Sequence, residues 1–121
     1  DIISCATLAV EPVIHGAWLK PGQHLDLIGS YAPHMREADD EAVRGSKVWI
    51  DTEAALHETG DLIKPLETGA LKRESICGTL YDLTGKGFDA GRAATDITLF
   101  KGVGHALEDL AAARLVLSNS K

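Results

Sequence analysis

The chain has 121 residues, which fits one domain, and its 45% hydrophobic residues are sufficient for a packed core. Eighteen Asp and Glu against twelve Lys and Arg give a net charge of −6, which argues against the basic surface that nucleic-acid binding requires. There is no apolar run as long as a membrane span and no signal-peptide pattern, so we expect a cytoplasmic protein that does not enter a membrane.

The chain begins inside an apolar, partly β-branched segment, residues 2–7, which predicts a buried parallel strand. Such a strand needs neighbours on both sides. No initiating Met precedes it. We therefore expect this chain to be the carboxyl-terminal part of a longer protein.

Strands alternate with helices along the rest of the chain, which is typical of a parallel α/β sheet. The strands are predicted at residues 2–7, 24–29, 47–51 and 96–101. The helices are predicted at residues 39–44, 52–58 with Gly60 as carboxyl cap, 74–83, and 103–117. Residues 62–72 are predicted as loop with a helical turn, and residues 85–94 as a surface loop.

The second strand ends at Gly29 and is followed by a loop that contains Pro33. Ligands of open α/β sheets bind beyond the carboxyl ends of the strands, so residues 29–36 are the first candidates for chemistry. The acidic run 37–41 is expected to open the next helix, where negative charge suits the helix dipole.

Two Gly-rich segments invite comparison with phosphate-binding loops. Residues 85–90 formally match G-x-G-x-x-A, but a helix rather than a strand precedes them, which favours a chance match. Residues 102–104 lie between a strand and the last helix. An anion could bind at that helix start with help from Lys101, or the segment could be a plain turn with Lys101 in solvent.

The remaining polar residues give no other recognisable site. The five histidines lack metal-ligand spacing, so no metal is predicted, although His34 lies in the loop after the second strand. Cys5 and Cys77 are expected to be buried free thiols. The acidic pairs at residues 39–40 and 108–109 are best explained as solvated helix surfaces.

Five sequence blocks occur in one order along the chain. They are Cys5-Ala-Thr-Leu-Ala-Val-Glu-Pro12, Ile28-Gly-Ser-Tyr-Ala-Pro-His-Met-Arg-Glu-Ala-Asp-Asp40, Val48-Trp-Ile-Asp51, Gly60-Asp-Leu62, and Thr98-Leu-Phe-Lys-Gly-Val-Gly104 with Ala106-Leu-Glu-Asp-Leu-Ala-Ala-Ala-Arg114. In this order they resemble the ornithine cyclodeaminase/mu-crystallin family over essentially the whole chain.

The resemblance implies part of a two-domain, NAD(P)-dependent enzyme. Residues 1–104 would be the second half of a Rossmann-like NAD(P)-binding domain, and residues 105–121 a helix that returns toward the substrate and dimerisation domain. The Gly-rich phosphate loop would lie upstream. The resemblance also implies a homodimer and the following site residues: Thr7, Leu8, Ile28, Gly29, Ser30, Lys101 and Gly102 for the cofactor, and Val103 for the substrate.

One position departs from the cyclodeaminase pattern. The loop of those enzymes has the form G-D-x-P-G-K with a catalytic Asp, whereas Tyr31 stands at the corresponding position here. A tyrosine, with a reference pKa of about 10, cannot act as a carboxylate base near neutral pH. The loop looks like that of cyclic ketimine reductases, with Tyr31 and His34 as candidate catalytic residues. An ornithine cyclodeaminase with a relocated base and a non-catalytic, mu-crystallin-like binding protein remain alternatives.

Overall fold

The computed structural model describes residues 1–87 and 89–120, and its centre is a five-stranded sheet in which every pairing is parallel. The strand order is β1-β2-β5-β3-β4, which confirms the predicted parallel α/β architecture. The strands are β1 (Ile2–Cys5), β2 (His24–Leu27), β3 (Ser46–Ile50), β4 (Ile76–Thr79) and β5 (Ile97–Lys101).

Five α-helices connect or follow these strands. They are α1 (Asp40–Arg44), α2 (Ala55–Glu58), α3 (Gly60–Thr68), α4 (Leu80–Thr84) and α5 (Ala106–Asn119), with short 3-10 turns at Gly16–Trp18 and Arg73–Ser75. The carboxylate of Asp39 caps α1 by accepting from the N–H of Ala42 at 2.8 Å.

The core lies between one face of the sheet and helices α1 to α3. In the middle strands, Leu25, Leu27, Val48, Ile50 and Leu99 are at most 1% exposed. They pack with apolar side chains of the three helices, among them Val43, Leu56 and Leu62. The strands stay together because this shared apolar face is removed from water.

The prediction of a helix at residues 74–83 was wrong. The segment forms the edge strand β4 and then the short helix α4. Ile76, Leu80 and Leu83 have helical spacing, but Ile76 pairs with Val48 of β3 and Leu80 begins the helix. Pairing with β3, a contact distant in sequence, satisfies backbone groups that a local pattern assigns to a helix.

The prediction of loop with a helical turn at residues 62–72 was also wrong in its extent, because Gly60–Thr68 forms the helix α3. Gly60 is the first residue of that helix and not the carboxyl cap of the preceding one, which ends at Glu58 with Thr59 as its cap. Pro65 weakens the local helical signal by removing a backbone donor. Burial of Leu62 and Pro65 outweighs that loss.

Helix α5 begins three residues later than predicted, and its predicted apolar face does not pack against the sheet. Leu107 and Leu110 are each 53% exposed, and Leu117 is 74% exposed. Cys77 is exposed, contrary to prediction, while Cys5 is buried, and both are free thiols. Of the helices within the described residues, none combines the length and apolar character needed to cross a membrane.

The segment at residues 85–90 has the predicted loop character. It follows helix α4 rather than a strand, as the sequence indicated, so it lacks the setting of a dinucleotide fingerprint. One of its residues, Phe88, lies outside the described residues.

Candidate functional site

The residues that follow β1, β2 and β5 meet at one edge of the sheet, which we call the rim. Cys5 accepts a backbone hydrogen bond from Ile28 at 2.9 Å, and Leu27 accepts one from Gly102 at 3.1 Å. The three predicted segments, after residues 5, 27 and 101, are therefore adjacent. This adjacency is the carboxyl-end arrangement at which ligands bind in α/β sheets.

A buried carboxylate, that of Glu37, joins two of these segments. Its Oε1 accepts from the backbone N–H of Thr7 at 2.6 Å and from Thr7 Oγ1 at 2.9 Å, and its Oε2 accepts from the N–H of Gly29 at 2.8 Å. Gly29 is required here, because a Cβ at this position would overlap the backbone of Thr7 and Glu37 Oε1. Glu37 therefore fixes the loops after β1 and β2 to each other.

Lys101, the last residue of β5, points its ammonium group into the same buried region. Its Nζ lies 3.5 Å from Asp61 Oδ2 and 3.9 Å from Glu37 Oε2, and its side chain is fully buried. Within the described residues, Lys101 Nζ and Asp61 Oδ2 have no hydrogen-bond partner. Asp61 Oδ1 accepts from the N–H groups of Glu37 at 2.7 Å and Ala38 at 3.1 Å. We call Glu37, Asp61 and Lys101 the buried charge cluster.

Burial is the main influence on the pKa values of Lys101 and Asp61. Desolvation lowers the pKa of Lys101, although Asp61 and Glu37 act in the opposite direction. Desolvation likewise raises the pKa of Asp61, against the opposing effects of the N–H donors of Ala38 and Glu37 and of the Lys101 charge. Lys101 attracts both carboxylates, whereas the negative charge of Glu37 adds to the rise in the pKa of Asp61.

Sequence reasoning missed Glu37 and Asp61. Glu37 was assigned to an acidic run that opens a helix, but α1 begins only at Asp40 and Glu37 is fully buried before it. Both acids lie inside the blocks that carry the family resemblance. That position was the available signal, but nothing local indicates that Lys101 would face them.

The N–H groups after β5 are already occupied by an anion of the chain itself. Asp51 Oδ2 accepts from Val103 at 2.7 Å and from Gly104 at 2.8 Å. This contact delays the start of α5 to Ala106 and leaves His105 as its amino-terminal cap. Both readings of residues 102–104 were therefore wrong about Lys101, which neither assists an anion there nor extends into solvent.

The loop after β2 is anchored at its base and exposed at its tip. Ser30 Oγ donates to the carbonyl of Met35 at 2.7 Å and lies 2.5 Å from Thr59 Oγ1. Ser30 is therefore fully buried, whereas the candidate residues Tyr31 and His34 are exposed. The loop presents these two side chains to solvent on a fixed base.

The other predicted site residues differ in what they offer to a ligand. Leu8 is 74% exposed and Ile28 is 49% exposed, so both present apolar surface at the rim. Thr7 and Val103 are partly buried. No group of three or more His, Cys, Asp or Glu side chains suited to a metal occurs among residues 1–87 and 89–120.

Comparison with known proteins identifies the group to which these features belong. The model of the ornithine cyclodeaminase/mu-crystallin family matches residues 1–121. The protein SAR DEFICIENT 4 of Arabidopsis thaliana is 49% identical over 117 residues, which cover 96% of this chain and 36% of that protein. The Δ1-pyrroline-2-carboxylate reductase of Paracoccus denitrificans is 44% identical over 111 residues, covering 91% of this chain and 35% of that protein.

A solved structure shares the same fold. The Δ1-pyrroline-2-carboxylate reductase of Thermococcus litoralis, in complex with NADH and L-proline, superposes with a TM-score of 0.88 at 36% identity, over 94% of this chain and 36% of that one. The predicted half of a Rossmann-like sheet is confirmed by this likeness. This chain spans little more than a third of the length of these relatives. On the match over its whole length, the chain belongs to the ornithine cyclodeaminase/mu-crystallin family.

Proposed function

We propose that this chain is the carboxyl-terminal part of an NAD(P)H-dependent reductase of cyclic imino acids. Its substrates would be Δ1-pyrroline-2-carboxylate and Δ1-piperideine-2-carboxylate, and its products proline and pipecolate. The main support is that the segments after β1, β2 and β5 form one rim. The Thermococcus litoralis reductase, which shares this fold, was solved in complex with NADH and L-proline. The proposal includes a homodimer, located in the cytoplasm.

The rim suits the flat, largely apolar ring of a nicotinamide. Leu8 and Ile28 present exposed aliphatic side chains beside the backbone of Gly29 and Gly102. We assign cofactor contacts to these residues and to Thr7, whereas Ser30 and Lys101, which are fully buried, are assigned to support of the rim. The ammonium of Lys101 is assigned a different part, because it is fully buried against two carboxylates.

The bound NAD(P)H would supply the hydride, and the chain would position the reactants and control protons. The protonated C=N group of the substrate is the electrophile. Val103 is assigned to the substrate pocket. Tyr31 and His34 are assigned to proton handling at the substrate nitrogen, since both side chains are exposed at the tip of the anchored loop.

Tyr31 also separates this proposal from ornithine cyclodeamination. The cyclodeaminase loop has a carboxylate at the corresponding position, and a phenol does not replace a carboxylate base near neutral pH. Reduction of a preformed imine does not need that base. The proposal therefore agrees with the residue present, whereas a cyclodeaminase would require a base from elsewhere.

The deciding experiment is an assay of the full-length protein with NADH or NADPH and each cyclic imino acid. We expect oxidation of the coenzyme with formation of proline or pipecolate. Release of ammonia from ornithine without imine reduction would reject the proposal in favour of a cyclodeaminase. Coenzyme or imino acid binding without turnover would favour the non-catalytic, mu-crystallin-like alternative.

Two variants test the assignment at the loop tip. Tyr31→Phe and His34→Gln remove the proton-handling groups while keeping similar shape, and we expect a lower kcat from at least one of them. Lys20→Gln is a suitable control, because this exposed side chain lies outside the rim. Unchanged kcat in both tip variants would remove Tyr31 and His34 from the chemistry.

A further inference from the structure

The reaction proposed above does not use the side chain of Glu37, although this is the only carboxylate described here that bonds to both the β1 and β2 loops of the rim. It receives three donors, two from Thr7 and one from Gly29. Hydrogen bonds to an ionised acceptor are shorter and stronger than those between neutral groups. Because each oxygen of this carboxylate accepts from a different loop, the side chain can hold the two backbone segments at a fixed separation.

Two buried residues, Lys101 and Asp61, contact Glu37 on the interior side of the rim. Lys101 Nζ lies 3.9 Å from Glu37 Oε2, and Asp61 accepts the backbone N–H of Glu37 at 2.7 Å. Asp61 thereby fixes the backbone that carries Glu37, while Lys101 offsets the negative charge. The acid therefore stays in place without contact with solvent, at 0% exposure.

We propose that Glu37 is a positioning residue for the nicotinamide coenzyme, acting by holding the Thr7 and Gly29 loops in their bound arrangement before the coenzyme arrives. The proposal rests on the proposed function for the identity of the ligand. Glu37 itself is buried beneath these loops and does not touch the coenzyme. Its effect is exerted through the backbone of Thr7 and Gly29.

The physical basis is the entropy of ordering a loop. If the two loops were free, binding would have to fix their backbone, which weakens binding by about tenfold for each residue ordered. Loops fixed in advance avoid that loss. The expected signature is a higher KM for NADH with little change in kcat, because coenzyme at saturation orders the loops in either case.

The test compares two isosteric variants of the full-length protein, Glu37→Gln and Asp61→Asn. Each removes one negative charge beside Lys101. Asn at position 61 keeps an oxygen for the N–H groups of Glu37 and Ala38. Gln at position 37 has a single oxygen, so it cannot accept from both Thr7 and Gly29. Both variants therefore remove a buried charge, but only Glu37→Gln breaks the link between the two loops.

For Glu37→Gln we expect about a tenfold rise in the KM or Kd for NADH, with kcat within about threefold of wild type. Hydrogen exchange measured by mass spectrometry should accelerate in peptides containing Thr7 and Gly29, more than in peptides from β3. Asp61→Asn should not produce this local acceleration. The proposal is overturned if Glu37→Gln and Asp61→Asn show the same exchange rates at the two loops and the same KM for NADH.

A milder variant protects the test if Glu37→Gln fails to fold. Thr7→Val removes the hydroxyl donor to Glu37 and keeps the branched shape and the Thr7 N–H bond. Because Thr7 is itself assigned to the coenzyme, the deciding measurement is hydrogen exchange at Gly29, which should accelerate. Unchanged exchange at Gly29 would count against the proposal. If the wild-type protein binds NADH but reduces no cyclic imine, only the proposed reductase activity is rejected. The positioning role of Glu37 is still tested by hydrogen exchange and by the affinity for NADH.

Discussion

The buried charge cluster and helix α5 reverse the usual distribution of charged and apolar groups in a folded protein. Glu37 and Lys101 carry ionisable side chains and are fully buried, whereas Leu107 and Leu117 are apolar and 53% and 74% exposed. Buried charges are costly unless they are paired, and large exposed apolar surfaces mark contact sites. The cluster is buried because its ionisable groups have partners of opposite charge, whereas the apolar side chains of α5 have no covering surface within the described residues.

In the cluster, ionisable groups of this chain face one another, whereas the apolar side chains of α5 face solvent. The cluster is formed by Glu37, Asp61 of α3 and Lys101 of β5, and its contacts reach the loops after β1 and β2. No residue of α5 is buried, so its stability in this chain depends mainly on its own backbone hydrogen bonds. Single substitutions at Lys101, Gly29, Asp39 and Leu117, together with one double variant, probe this contrast, and the largest expected effect comes first.

Replacing Lys101 by Met should have the largest effect. The change leaves Glu37 and Asp61 buried beside each other without a cation, and breaking a buried ion pair in this way costs about 3–5 kcal/mol. The free energy of unfolding from urea titration measures the loss. A loss below about 1 kcal/mol would contradict the assignment of Lys101 as the counter-charge of the two acids.

A double variant sharpens this result. Adding Asp61→Asn to Lys101→Met removes one of the two uncompensated carboxylates, so part of the lost stability should return. The single and double variants form a cycle whose interaction energy should fall within about 0.5–3 kcal/mol, as for residues in contact. Simple additivity would show that Asp61 and Lys101 do not act together.

Gly29→Ala should destabilise the rim by about 1–3 kcal/mol, because the added Cβ would overlap the Thr7 backbone and Glu37 Oε1. Gly102→Ala is a matched control within the rim. Its Cβ would meet Phe100 at 3.4 Å and Ile28 at 3.6 Å, which are ordinary contacts. Thermal unfolding measures both, and equal losses would contradict the crowding described at Gly29.

Asp39→Ala should cost about 1 kcal/mol near neutral pH by removing the cap of α1. Partial burial raises the pKa of Asp39, but the N–H donors of Ala42 and Gly16, with His15, outweigh it and leave the pKa below its usual value. The stabilisation is therefore present above pH 3.8, the unfolded value, and is lost as pH falls through the native pKa. Unfolding at pH 7 and at about pH 3 should show a smaller difference between variant and wild type in acid.

Leu117→Ala should have the smallest effect in this chain, below about 0.5 kcal/mol, because the side chain is 74% exposed. Leu99→Ala, at 1% exposure in the core, is the control, with an expected loss of about 2–5 kcal/mol. Repeating Leu117→Ala in the full-length protein sharpens the comparison. A loss of about 2 kcal/mol there would identify α5 as a covered helix.

Much of the sheet could be predicted from local sequence. The apolar segments of β2 and β3 are bounded by turns or polar residues and were located to within two residues. The edge strand β4 was missed because its residues also fit a helix, and α3 was missed because Pro65 interrupts its pattern. In both cases contacts with distant residues outweighed local preference.

The family, the parallel α/β class and the strand ends that form the rim could be predicted from the amino-acid sequence, because they depend on apolar periodicity and on blocks in a fixed order. The partners of Lys101 could not be predicted in this way and became apparent in the folded chain. That residue and Glu37 are separated by 64 positions, and their contact exists because β5 inserts between β2 and β3. From the sequence alone, a charged residue is expected at the surface unless an opposite charge lies nearby in the chain. In the folded protein, Lys101 is buried beside Glu37 and Asp61, which are distant from it in sequence.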